Sequence, residues 1–337
     1  MPTYLITGAT GFVGSHVAEA VAARGGTVRT LARPTSDTAA LAKLGVEIVP
    51  GDLTDPPAVA KAVDGVDYVL HCAAKVGDWG HVDEFRAVNV AGLRNLLDAV
   101  KGQPLERFVH VSSLGVYEGR HHYGTDETEP LPESQMDGYT QSKVESEKLA
   151  LEYHRKFDTP VTVLRPGFIY GPRDRTVLPR IAARLAKGDI VYIAKGKYAL
   201  NTTYVGNLVD AIRLAAENPK AIGEVFNVTD GEFVTKKRFF EAIADGLELP
   251  RPKGSIPLWL AKWLAPWRER VYRRKNKPTP PRLTMATLKF AGLNLDFSIA
   301  KARAVLGYSP KVGFDEGMAA AIRWMKENSG TLRNPAG

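Results

Sequence analysis

The chain has 337 residues, 44% of them hydrophobic and 24% charged, with a formal net charge of +8 and one cysteine, Cys72. That length buries a full core and that composition is globular, which excludes a disordered chain, and one thiol excludes an internal disulfide. Residues 268–277 (RERVYRRKNK) hold six of the basic residues against one acidic, so the charge excess is a local patch and no groove for nucleic acid is expected.

The first strand is expected at 3–7. No charged n-region or cleavage site precedes it, and no apolar run reaches the ~18–20 residues of a membrane span. A cytoplasmic protein is expected, at most peripheral at the inner face of a membrane. Further strands are predicted at 27–31, 47–49, 68–71, 108–112 and 161–164, alternating with helices at 13–23, 58–63, 85–100 and 139–154. Such alternation gives an α/β fold, a doubly wound parallel sheet of the Rossmann type. Cys72 follows an apolar strand and is expected to be a buried, inert thiol.

Beyond Gly171-Pro172 the pattern loosens, with helices expected at 177–187, 207–217, 236–247, 298–306 and 315–327. Ser298 and Asp315 are candidate N-caps and Gly307 a candidate C′ residue. The expected organisation is a nucleotide-binding domain over 1–172 and a smaller substrate lobe over 173–337, some elements of which return to the main sheet.

The segment Thr7-Gly8-Ala9-Thr10-Gly11-Phe12-Val13-Gly14 follows the first strand and opens the first helix. Its glycines permit a tight turn and close approach of backbone to a pyrophosphate, and the helix N-terminus offers free N–H groups. The second strand ends Leu31-Ala32-Arg33, where a carboxylate for the ribose of NAD is absent. Arg33 there favours a 2′-phosphate, hence NADP(H), with NAD(H) as the alternative. Asp52 and Leu53 are candidates to frame the adenine ring, while Ala73 and Ala74 leave room beside the phosphates.

Tyr139 and Lys143 share one helical face. A free phenol titrates near ~10, and a nearby ammonium is expected to lower that value so that tyrosine exchanges a proton with a substrate oxygen. Ser113 is a candidate to hydrogen-bond the same oxygen.

With these come GDLTD at 51–55, HCAA at 71–74, Asn89, VSSLGVY at 111–117, YTQSK at 139–143 and RPGFIYGP at 165–172. Together they resemble the extended short-chain dehydrogenase/reductase superfamily over nearly the whole chain. The resemblance implies Tyr139 as acid/base, Ser113 as its partner, Lys143 on the nicotinamide ribose and Asn89 supporting the site. It also implies Pro166 and Gly167 near the nicotinamide, and a homodimer built on two long helices. TYVGN followed by LVDAI, PRLT at 281–284 and 297–317 are similar to the 3β-hydroxysteroid and sterol dehydrogenase group.

Nucleotide-sugar members of that superfamily carry an asparagine where this chain has Phe168, and an arginine where it has Leu200. The expected substrate is therefore an apolar alcohol or ketone, steroid-like or lipid-like, with Phe168, Leu200 and Trp79 lining its pocket. A nucleotide-sugar epimerase or dehydratase with tightly bound NAD and a non-catalytic NADP-binding sensor are the alternatives.

His121 and His122 are expected to be a solvated pair, with no metal site. In 256–277, Trp259 and Trp263 share a helical face, and Pro266 is expected to stop the helix before Trp267 extends it. That stretch is either a lid whose indoles cap the substrate pocket or a peripheral membrane contact.

Overall fold

The computed structural model describes residues 1–328 apart from Asp78, Asn276 and Pro278. Residues 329–337, assigned above to the substrate lobe, lie outside the described residues. So do Asp78 beside Trp79 and Asn276 within the basic run.

Seven parallel strands form the centre: β1 (Thr3–Thr7), β2 (Thr27–Ala32), β3 (Glu47–Pro50), β4 (Tyr68–His71), β5 (Arg107–Val111), β6 (Val161–Pro166) and β7 (Val225–Val228). Their order is β3-β2-β1-β4-β5-β6-β7. The order reverses between β1 and β4, and such a switch point opens a crevice at the carboxyl ends of the strands. Strand side chains alternate, so Leu5 packs with Leu31, Val69 and Phe108 on one face while Ile6 packs with Leu70 and Val109 on the other. The helix Phe12–Ala23 covers the Ile6 face; Leu93–Val100 and Gly138–Phe157 cover the other. Burial on both faces is why these strands are apolar almost throughout.

The predicted helix over 85–100 is broken. It forms Val82–Arg86, a π-helical turn Ala87–Gly92, and Leu93–Val100. Gly92 lies where a Cβ would come within 2.9 Å of Leu53 Cβ, and Asn89 is drawn to the Lys75 backbone, so the widened turn has a local cause on each side.

Beyond β6 a third core gathers Tyr170, Leu178, Phe239, Ile243 and Phe314. The strand β7 comes from this half of the chain and pairs with β6. Gly307 is left-handed at φ 68, while Gly313 rather than Asp315 is the N-cap of Phe314–Glu327. Asp315 lies in the first turn, where its charge still meets the positive end of the dipole. The segment 298–306 is largely a π turn, Ala302–Leu306, rather than a regular α-helix.

The helix Leu258–Arg274 runs straight through Pro266, contrary to the expected stop. A proline inside a helix costs about 3 kcal/mol by removing one hydrogen bond. Here Pro266 and Lys262, whose carbonyl loses its donor, are both exposed to water. Ala261 and Ala265 anchor the opposite face, and Glu269 accepts from the Met285 N–H at 2.7 Å. Anchors on both sides of the proline hold the helix across it.

Candidate active site

The cradle at the sheet switch point is built by backbone. Gly8 is left-handed at φ +72, and a Cβ there would lie 2.9 Å from the Ala73 backbone. A Cβ on Gly14 would overlap the Gly8 carbonyl. Gly11 opens the helix without a side-chain cap, so the first-turn amides of Phe12, Val13 and Gly14 have no intrahelical partner. Thr10 is exposed at the tip of this turn. Ala73 and Ala74 follow β4, and the Ala73 N–H donates to the Thr7 hydroxyl at 3.2 Å. Asp52 accepts from the Thr54 amide and hydroxyl, while Leu53 is buried against Gly92. Arg33 is exposed one residue past β2, with no side-chain partner among the described residues.

Tyr139 and Ser113 share a hydrogen bond just beyond β5, while Lys143 is bonded to the last residue of that strand. Ser113 follows that strand and accepts from the Gly115 N–H at 3.0 Å. Asp137 caps the helix Gly138–Phe157 through the Thr140 N–H, which places Tyr139 in its first turn with its ring edge-on to Phe85. Burial pushes the phenol up to about 12, the Asp137 carboxylate adds to this, and the Ser113 hydroxyl opposes it. The lowering expected from Lys143 is therefore not found. Buried Lys143 instead donates to the Val111 carbonyl at 2.7 Å, and burial brings its ammonium down to about 8. Burial also pushes the neighbouring Cys72 thiol up to about 12, the signature of an inert group.

Asn89 is buried and linked elsewhere. Its carbonyl accepts from the Lys75 N–H at 2.7 Å, and its amide donates to the Lys75 carbonyl and the Ser142 hydroxyl. It thus ties the loop after β4 to the tyrosine helix, a positioning role.

Behind the site lies a buried network that the sequence pattern does not announce. Glu147, one further turn along the Tyr139–Lys143 face, accepts from the Ser112 hydroxyl at 2.7 Å and pairs in bidentate fashion with Arg165. Arg165 also donates to the Tyr117 hydroxyl at 2.7 Å, which in turn donates to Asn227 on β7. Burial works against the guanidinium, yet Glu147 and Tyr117 leave its pKa raised. An arginine inside the apolar strand VTVLRP was the available signal. Lys289, from the distal part of the chain, donates to the carbonyls of Gly115 and Tyr117 at 2.7 and 2.8 Å, fastening the serine loop.

On the substrate side Phe168 is half-buried between Phe239 and Phe290, each ring 5.2 Å away. Leu200 is 2% exposed inside the core, so it backs the wall rather than facing it. Pro166 ends β6, and Gly167 sits where a Cβ would strike Asn201. Trp79 lies beneath the Arg273 guanidinium, 4.6 Å from its ring centre. His122 is not solvated: it starts a short strand, His122–Thr125, and is buried with its ring held by Glu118 and Thr125. His121 accepts from the Asn294 N–H.

Three buried lysines set a pH dependence. Burial lowers Lys143 and Lys289 to about 8 and Lys236 to about 7, against ~10.4 in an unfolded chain. Between those values the folded chain binds fewer protons, so stability rises with pH across that window. Above ~10 the sign reverses, because Tyr117 and Tyr139 are both held at about 12. The urea midpoint is expected to be higher at pH 9 than at pH 7; a flat or falling midpoint would contradict this.

Residues 4–229 match the model of the NAD dependent epimerase/dehydratase family. The chain is 30% identical over 325 residues to the 2-alkyl-3-oxoalkanoate reductase of Shewanella oneidensis, covering 93% of this chain and 84% of that one. It is 33% identical over 321 residues to the "3 beta-hydroxysteroid dehydrogenase/Delta 5-->4-isomerase" of Mycobacterium tuberculosis, covering 91% and 85%. The crystal structure of gox2253 shares the fold with a TM-score of 0.82 at 31% identity, covering 97% of this chain and 98% of that one.

Proposed function

Because the chain belongs to the NAD-dependent epimerase/dehydratase family and is an NAD(P)-dependent oxidoreductase acting on an alcohol or ketone, we propose that it reduces an apolar ketone with NADPH through Ser113, Tyr139 and Lys143. The observation that carries the substrate class is the pair of half-buried rings of Phe168 and Phe290, backed by the fully buried Phe239. Phe168 holds the position at which the resemblance implies an asparagine in nucleotide-sugar members, and an apolar ring there offers a diphosphate no hydrogen bond. The two named relatives, an oxoalkanoate reductase and a hydroxysteroid dehydrogenase, support the same class.

The residues present fit a dinucleotide, since the cradle closes only with glycine at positions 8 and 14. The first-turn amides of Phe12, Val13 and Gly14 would take the pyrophosphate, Asp52 and Leu53 the adenine, Arg33 the 2′-phosphate, and Pro166 and Gly167 the nicotinamide. When bound, the nicotinamide supplies the hydride for the carbonyl carbon. Tyr139 gives its phenolic proton to the carbonyl oxygen, and Ser113 donates a hydrogen bond to that oxygen. A phenol held at about 12 is protonated at neutral pH, the form that reduction requires. Lys143 would hold the nicotinamide ribose, and Asn89 and Lys289 keep the surrounding loops in place.

The test is turnover with NADPH and NADH against a ketosteroid, a long-chain β-keto acid, a small aldehyde and a UDP-sugar. NADPH with an apolar ketone is the expected pair. Arg33→Ala should weaken NADPH binding about 10- to 100-fold and NADH binding little, as for loss of a hydrogen bond to a charged group. Parental preference for NADH, or equal loss for both, would remove Arg33 from the 2′-phosphate. Turnover of the UDP-sugar alone would overturn the substrate class.

A further inference from the structure

The helix Leu258–Arg274 has two unlike faces. Ala261 and Ala265 are fully buried in a small core with Ile193 and Leu288. The outer face carries Trp259, Trp263 and Trp267, which are 71%, 65% and 53% exposed. Their spacing of four residues aligns them in one stripe, and the rings of Trp263 and Trp267 stack at 6.4 Å. Because the helix continues through Pro266, the same face extends to Arg270 and Arg274, both exposed, with Lys262 and Arg273 along its margin. Its one acidic residue, Glu269, is turned inward to the Met285 N–H. Three neighbouring exposed indoles on a soluble surface demand a partner.

The indoles do not cap the substrate pocket as a lid would, since they face solvent. We propose that this face docks on the surface of an anionic lipid bilayer. Indoles favour the headgroup region, where the ring leaves water while its N–H stays hydrated. The cations continuing the same face would sit among lipid phosphates and carboxylates, an electrostatic complement that a neutral surface lacks. The end of the docking face meets the substrate side through Arg273, which lies over Trp79. Docking would therefore bring the Trp79 loop to the lipid boundary. This face belongs to the helix itself and is independent of the proposed reaction.

The experiment is co-sedimentation of the full chain with vesicles of phosphatidylcholine alone or mixed with phosphatidylglycerol. The parent should bind the mixed vesicles, shift its tryptophan emission to shorter wavelength, and leave them as salt rises from ~0.05 to ~0.5 M. Phosphatidylcholine alone should hold it weakly. Trp263→Ser with Trp267→Ser, and separately Arg270→Gln with Arg274→Gln, should each lower partitioning about tenfold or more. Circular dichroism and thermal unfolding must match the parent, so that loss of binding is not loss of fold. No binding to the anionic vesicles at low salt would overturn the proposal, as would unchanged partitioning of both variants. A parent dimer that Trp263→Ser with Trp267→Ser dissociates, without vesicle binding, would assign the face to a second copy instead.

Discussion

Tyr139→Phe is expected to lower turnover by about 10²–10⁴-fold while leaving NADPH affinity close to that of the parent. The substitution removes one oxygen and keeps the ring that packs edge-on against Phe85. Ser113 retains its bond from the Gly115 N–H, so the loop bearing it is undisturbed. In the proposed reaction, what disappears is the proton for the carbonyl oxygen, leaving hydride transfer to develop an alkoxide that only Ser113 would stabilise. Turnover and cofactor titration by fluorescence quenching, measured on the same preparation, separate the chemical step from binding. Turnover within a few-fold of the parent would mean that another group supplies the proton.

Arg165→Leu is expected to destabilise the fold by about 3–5 kcal/mol, because it strands the Glu147 carboxylate in the interior. Glu147 is fully buried, and its remaining partner would be the Ser112 hydroxyl. Adding Glu147→Leu should recover most of that loss, since removing both charges also removes their desolvation cost. Urea midpoints of parent, both single variants and the double variant form a cycle that reads the coupling directly. If the two single losses simply add, the pair contributes as two independent side chains.

The parts of the site legible in the sequence are those that backbone geometry dictates. Only glycine fits the left-handed turn at Gly8 and the contact of Gly14 with the Gly8 carbonyl, so their spacing after an apolar strand announces the cradle. Tyr139 and Lys143 were equally visible, four apart on one helix. Their electrostatics were not, because which groups are buried depends on the loops packed over them, and Lys143 turned to the Val111 carbonyl. The pairing of Glu147 with Arg165 joins a helix to a strand, so the arginine in an apolar strand signals a buried charge without naming its partner. The π turn at Asn89 preserves the apolar spacing of an ordinary helix, so 85–100 read as continuous. Pro266 misled in the opposite direction, since a local preference was overruled by anchors on both sides of it. His122 was hidden because the strand it begins pairs with Leu295–Phe297, far along the chain.

The bonds from Lys289 to Gly115 and Tyr117 tie the serine loop to a residue that is synthesised much later. Synthesis proceeds from the N-terminus, and all seven central strands exist once residue 228 has left the ribosome. The cradle and the crevice beside it can then assemble while the serine loop still has two carbonyls without their ammonium. Only when the helix Met285–Gly292 emerges is that loop fastened. A chain that has emerged only to residue 228 thus carries the residues of the cradle but not the ammonium that fastens the serine loop.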